Sequence, residues 1–98
     1  MKAATVRTAQ YWVYMLKCSD KTLYTGVTND LRRRVREHNS GSASKYTRSR
    51  RPVSLVYAEV ADGKSIALMR ESAIKKMSRS AKLLLCASYS PGSREGAR

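Results

Sequence analysis

Phenylalanine is absent from this 98-residue chain, and tryptophan and histidine each occur once. Val, Leu, Ile, Met, Ala and Tyr are left to build the core, a composition that is still globular and argues against disorder throughout. Cysteine is also scarce. Cys18 and Cys86 stand far apart, with no CxxC spacing and no Cys/His clustering, which excludes a structural zinc site. Each reads as a small buried or half-buried apolar residue in a reducing compartment, and sequence alone leaves a disulfide between them open. Long hydrophobic runs are missing too. The longest, Tyr11–Leu16 and Leu83–Ala87, are far too short to cross a bilayer, and Met1–Ala9 lacks the apolar core of a secretory signal. The expectation is a soluble, unexported, cytoplasmic protein with no membrane partner.

Negative charge is the last scarcity. Seven Asp and Glu face twenty Lys and Arg, a formal +13 at pH 7 on a very small surface. Such a surface attracts polyanions, and nucleic acid leads because clustered basic side chains release the counterions of its phosphates. A membrane-surface role calls for an amphipathic helix with bulky apolar residues opposite the charges, and no such helix is visible.

The length suffices for one modest core. Residues 1–9 carry no periodic pattern, and 88–98 are rich in Ser, Pro, Gly and charge. Both read as flexible tails around one domain at 10–87. Tyr11–Lys17 and Thr22–Val27 are aromatic and β-branched, and the polar link Cys18-Ser19-Asp20-Lys21 suits a hairpin. Thr28-Asn29-Asp30 offers three N-cap residue types before a helix over Leu31–His38 that stops at Asn39-Ser40-Gly41. A basic connection over 40–52 holds a turn of helix near Lys45–Arg48, and Pro52 introduces a third strand at Val53–Val60. After the turn Ala61-Asp62-Gly63, Ile66, Met69, Ala73 and Met77 set an apolar stripe on a helix over about 64–78. Ser80 can cap a last short helix through Leu85. The order ββαβα with a closing helix implies an α+β fold, a small three-stranded, mainly antiparallel sheet flanked by helices.

The first helix contains an anomaly. At about 3.6 residues per turn, Leu31, Arg34, Val35 and His38 share the face that should meet the sheet, while Arg32, Arg33 and Arg36 point elsewhere. A charged group held against a sheet needs a partner or a water-filled cleft. Arg34 could pair with Glu71 or Glu59, and His38 could be a hydrogen-bonded residue at the core's edge. Alternation along the hairpin lets Tyr14 and Tyr24 lie side by side, with Gly26 on the face of Tyr24. A glycine weakens a strand, and close approach by another group or ligand explains it economically. Glu71 sits on the flank of the apolar stripe, with Lys75 as its i,i+4 partner.

Read together, these residues resemble the GIY-YIG nuclease superfamily. Its tripeptides appear in degenerate form as Trp12-Val13-Tyr14 and Tyr24-Thr25-Gly26. The stretch from Leu23 to Gly41, then Lys45-Tyr46-Thr47-Arg48, Arg51-Pro52-Val53 and Arg70 to Lys76, extends the likeness over about residues 11–86. It is most similar to small stand-alone bacterial members, endonuclease-like proteins akin to the excinuclease nuclease domain, which places it near DNA repair. Trp12 for the first glycine and Thr25 for the isoleucine depart from the pattern and spare its polar groups.

The resemblance implies a metal-dependent endonuclease acting on phosphodiester bonds, with DNA favoured over RNA. It assigns catalytic roles to Tyr14, Tyr24, Arg34, His38 and Glu71. Glu71 would hold one Mg²⁺, with Mn²⁺ as the alternative, and most of the ion's waters would be retained. Arg34 would bind the scissile phosphate through its planar fork, and nearby cationic charge would favour a phenolate on one tyrosine. Gly26, Arg33, Lys45, Arg48, Arg50, Arg51 and Lys75 would meet the nucleic-acid backbone, positioning without reading sequence. Tyr46 among them would stack a base or pack beneath the loop. The alternative is a non-catalytic nucleic-acid-binding module of the same fold. Either is compatible with a protein partner that supplies selectivity, and a module for acidic protein partners is the third reading.

Overall fold

The computed structural model describes residues 10–89. The flexible tails expected at 1–9 and 88–98 lie outside the described residues, apart from Ser88 and Tyr89.

Strands β1 (Gln10–Lys17) and β2 (Leu23–Thr28) form the expected hairpin. Its polar link closes by local bonding. Asp20 accepts from the Thr22 backbone N–H at 3.1 Å and the Thr22 hydroxyl at 2.6 Å, and Lys21 adopts a left-handed φ of 71°. Strand β3 (Ser54–Asp62) pairs antiparallel with β1 on its other side, so the sheet order is β2-β1-β3 and β2 is an open edge. Pairing of Gln10 with Asp62 carries β3 two residues past the expected Val60.

Helix α1 (Leu31–Ser40) starts from Asp30, which alone of the three candidate caps accepts from Arg33 N–H, at 3.1 Å. It ends at Gly41, whose φ of 88° suits a residue without Cβ. The single turn α2 (Lys45–Arg48) is capped by Ser44. Helix α3 (Lys64–Lys75) follows β3, and α4 (Arg79–Ser88) closes the described chain. Ser78 caps α4, not Ser80, because Ser78 holds the extended conformation three residues before the Ala81 N–H that it accepts from.

Strand alternation separates two cores. On one face Tyr14, Leu16 and Ala58 pack with Leu31 and Val35 of α1, while on the other Val13, Met15 and Ala61 pack with Ala67 and Ile74 of α3. The stripe expected on α3 is therefore rotated. Ile66 and Met69 are 52 % and 69 % exposed and Ala73 is exposed, whereas Ala67 and Ile74 are fully buried. A small residue seats the helix close to the sheet, and the larger Ile66 and Met69 turn to solvent. The rotation brings Glu71 to the edge of the packed face, one turn after Ala67 and half-buried.

Cys18 is buried, Cys86 is half-buried, and both are free thiols. No helix among the described residues is long and apolar enough to cross a membrane.

Candidate active site

Because β2 is an open edge, α1 on one face and α3 on the other overhang it together. Between them lies a cleft of about 470 Å³ lined by Tyr11, Tyr14, Tyr24, Gly26, Val27, Thr28, Asn29, Arg33, Arg34, Lys64, Leu68 and Glu71. Six of the residues expected at the site thus share one solvent-reachable hollow: Tyr14, Tyr24, Gly26, Arg33, Arg34 and Glu71.

Tyr14 lies opposite Gly26 in the β1–β2 register, and its ring covers the glycine. A Cβ there would come within 2.5 Å of the phenol oxygen and 2.7 Å of the ring carbon that bears it. The group whose close approach the glycine permits is a tyrosine of the same site. The rings of Tyr14 and Tyr24 are 6.4 Å apart, and Tyr24 also meets His38 edge-on at 5.0 Å.

His38 stands behind the cleft and is fully buried. Its Nε2 is 2.8 Å from the Tyr14 oxygen and its Nδ1 is 2.8 Å from Thr47 Oγ1. Burial, with the Arg34 guanidinium nearby, pushes its imidazole below the usual histidine range. The ring is neutral at pH 7. Burial also pushes the Tyr14 phenol up to about 12, outweighing the opposite pull of Arg34, while Tyr24 and Glu71 add to the rise. Tyr14 therefore rests as a phenol. The pull of Arg34 toward the phenolate is present and is smaller than the effect of desolvation.

Arg34 pairs with neither partner considered for it. Its guanidinium donates to Glu37 on its own helix at 2.9 Å, while Glu59 accepts from Arg70 at 2.8 Å. Glu71 does ion-pair with Lys75 at 3.2 Å, with the carboxylate side chain 19 % exposed and the lysine 56 %. The surface pairing and the cleft position coexist, since one helix turn places Lys75 at the rim.

The other basic residues expected to meet nucleic acid, Lys45, Arg48, Arg50 and Arg51, stand apart, on and after α2. Arg50 is held by Asp20 at 2.9 Å, donates to the Tyr46 carbonyl at 2.9 Å and lies 3.8 Å over the Tyr46 ring. Tyr46 packs against Tyr24, with ring centroids 5.9 Å apart. Arg51 donates to the carbonyls of Arg48 and Asn39. Arg48 and Arg51 line a second depression of about 440 Å³ with Asn39, Ser49 and Pro52, and Lys45 begins α2 beside them.

Tyr11, Asn29, Lys64 and Thr47 were not anticipated. Lys64 could have been, because it lies seven residues before Glu71 and therefore on the same side of α3. Tyr11 points to the face opposite Tyr14 by alternation and reaches the cleft only because the hollow wraps round the sheet edge. Thr47 gave no signal, since a four-residue helix has no periodicity to read.

A cleft over the edge of a three-stranded antiparallel sheet, walled by two tyrosines, an arginine and a glutamate, defines a class. Residues 10–84 match the GIY-YIG catalytic domain model, and the chain belongs to that family. The family suggests nuclease-type function and binding of nucleic acid in general. The UPF0213 protein of Syntrophus aciditrophicus is 59 % identical over 75 residues, covering 76 % of this chain and 86 % of the relative. A UPF0213 protein of Natronomonas pharaonis is 52 % identical over 79 residues, covering 81 % and 93 %. Among solved structures, the solution NMR structure of a UPF0213 protein from Bacillus halodurans superposes with a TM-score of 0.53 at 39 % identity, covering 90 % of this chain and 93 % of that one.

Proposed function

We propose that this protein is a metal-dependent endonuclease that hydrolyses phosphodiester bonds, with DNA as the favoured substrate. One observation carries the reading: Tyr14, Tyr24, Arg34 and Glu71, each from a different element, face a single cleft. In-line hydrolysis needs a proton acceptor for water, charge relief at the phosphoryl oxygens and support for the leaving oxygen.

Arg34 binds the scissile phosphate, and Arg33 and Lys64 extend the positive wall of the cleft. Tyr14 takes the proton of the attacking water as its own phenolic proton moves to His38 Nε2, 2.8 Å away. This relay lets a phenol raised to about 12 work at neutral pH, since no free phenolate forms first. Tyr24 packs against both partners and holds the relay's geometry.

Among the described residues that line the cleft, Glu71 is the only acidic one, and the described residues contain no cluster of three or more His, Cys, Asp or Glu that could cage a metal. A single carboxylate suits Mg²⁺, which keeps several waters, and Mn²⁺ would fit the same oxygen donor. When bound, the ion supplies positive charge beside the phosphoryl and leaving oxygens. Lys45, Arg48 and Lys75 meet the backbone outside the cleft, and Arg50 and Arg51 do so with the donors their internal bonds leave free. Selectivity then falls to nucleic-acid structure or to a protein partner. The two free cysteines agree with a cytoplasmic setting.

The raised Tyr14 phenol favours one rival, a module that binds nucleic acid and does not cut it. Cleavage of labelled single-stranded, duplex, flap and RNA substrates with Mg²⁺, Mn²⁺ or EDTA separates the two. Wild type is expected to cut with either metal, and Arg34→Ala, Glu71→Ala and Tyr14→Phe to lose on the order of 10²–10³-fold in rate. A wild type that binds without cutting, or a Glu71→Ala variant that cuts equally well, sinks the enzyme.

A further inference from the structure

The polar chain behind the cleft does not end at His38. Thr47 on α2 is fully buried, with Oγ1 2.8 Å from His38 Nδ1. The directions of the hydrogens follow from what each atom can give. The buried Tyr14 hydroxyl must place its hydrogen on an acceptor. Arg34 offers donors only, so the phenol oxygen meets that guanidinium with a lone pair, and of its protein neighbours His38 Nε2, 2.8 Å away, is the one that can accept its hydrogen. A neutral imidazole whose Nε2 accepts carries its hydrogen on Nδ1. Thr47 Oγ1 accepts that hydrogen, and its own has two acceptors on Ser44, the hydroxyl oxygen at 3.0 Å and the carbonyl at 3.4 Å. Ser44 Oγ accepts from the Thr47 N–H at 3.1 Å, the cap that fixes α2.

We infer that Thr47 is a positioning residue: by accepting from His38 Nδ1 it locks the imidazole in the one neutral tautomer whose Nε2 can take the proton of Tyr14. The inference rests on the reading of Tyr14 as the acceptor of the water's proton. In that step one proton passes from water to the Tyr14 oxygen, and the phenolic proton passes to Nε2. The hydroxide electron pair forms the new P–O bond, and the departing oxygen keeps the pair of the bond that breaks. Thr47 remains the acceptor for Nδ1–H in the imidazolium; Tyr14 then gives the proton taken from water to the departing oxygen and regains its own from Nε2, which restores both groups. Without that hydroxyl, buried Nδ1–H loses its acceptor. The hydrogen then shifts to Nε2, opposes the phenolic hydrogen and blocks the relay.

His38 is the sole histidine of the chain, so labelling histidine with the heavy nitrogen isotope reports this ring alone by NMR. In the full-length wild type Nδ1 is expected to be the protonated nitrogen and Nε2 the bare one. Thr47→Ser keeps that pattern, and Thr47→Val moves the hydrogen to Nε2 or mixes the two forms. Cleavage by Thr47→Val falls about 10–100-fold in kcat with KM little changed, and Thr47→Ser recovers most of it. A wild-type ring protonated on Nε2, or a Thr47→Val ring that keeps Nδ1–H, overturns the inference. Should Thr47→Val fail to fold, the wild-type and Thr47→Ser spectra decide. Expected tautomers without any cleavage remove the nuclease reading and leave the hold of Thr47 on the ring intact. Cleavage with the opposite tautomer sinks the role of Thr47 alone.

Discussion

The two faces of this sheet are packed on different principles. Beneath α3, Val13, Met15, Ala61, Ala67 and Ile74 form an apolar seam. Beneath α1, the fully buried set includes Tyr14, His38 and Thr47, joined by hydrogen bonds of 2.8 Å. Polar groups this deep cost free energy unless each is satisfied, and a core built for stability alone would avoid them. Both faces bury apolar side chains, Leu16, Leu31, Val53 and Ala58 among them beneath α1, and the α1 face adds a buried polar chain. On the proposed reading that chain is a proton path, and the cleft opens where the two faces meet over β2.

The sharpest way to break this comparison is to cut into the apolar seam. Ile74→Ala should cost about 2–5 kcal/mol of unfolding free energy in urea titrations, while the pH dependence of stability stays that of wild type. A changed pH dependence would mean that the faces are not separable. Gly26→Ala strikes the other face, because its Cβ would meet the Tyr14 phenol at 2.5 Å and that ring is held by His38. A loss of about 1–3 kcal/mol is expected, read as a lower melting temperature. A fully stable variant would show that the tyrosine can swing away freely.

Acid sharpens the contrast further. The folded protein holds His38 neutral below its ordinary range, whereas the unfolded chain takes up a proton near pH ~6.5. The unfolded state thus binds more protons just below that value, so stability falls as pH drops through the window and recovers as it rises. His38→Gln should remove this slope, as measured by urea midpoints at about pH 7 and about pH 5. An unchanged slope would assign the effect to other groups. The smallest effect belongs to Lys75→Ala, which frees Glu71 from an exposed pair. It should shift stability by only a few tenths of a kcal/mol.

Much of this was legible because strand alternation is strict. Parity put Tyr24 and Gly26 on one face and allowed Tyr14 beside them, the register that pairs Tyr14 with Gly26 coming from the fold, and the α1 face carrying Arg34 and His38 followed from its single apolar pair, Leu31 and Val35. Helix α3 resisted because Ile66, Met69 and Ala73 make a stripe as regular as the true one. Only packing against the sheet selects Ala67, whose small size no periodicity rewards. Thr47 was hidden for a related reason. Amid Lys45, Arg48, Arg50 and Arg51 a hydroxyl looks like solvent-facing filler, and its burial depends on a histidine nine residues earlier.

Helix α2 is a single turn, with Thr47 inside and Tyr46 at the surface, 37 % exposed. On the proposed reading, gripping an incoming strand and steadying the histidine are thus duties of one short piece. A displacement of about 1 Å would stretch the 2.8 Å contact to His38 beyond hydrogen-bonding reach. If His38 serves the proposed relay, whatever takes hold of the basic loop has its hand on that relay as well.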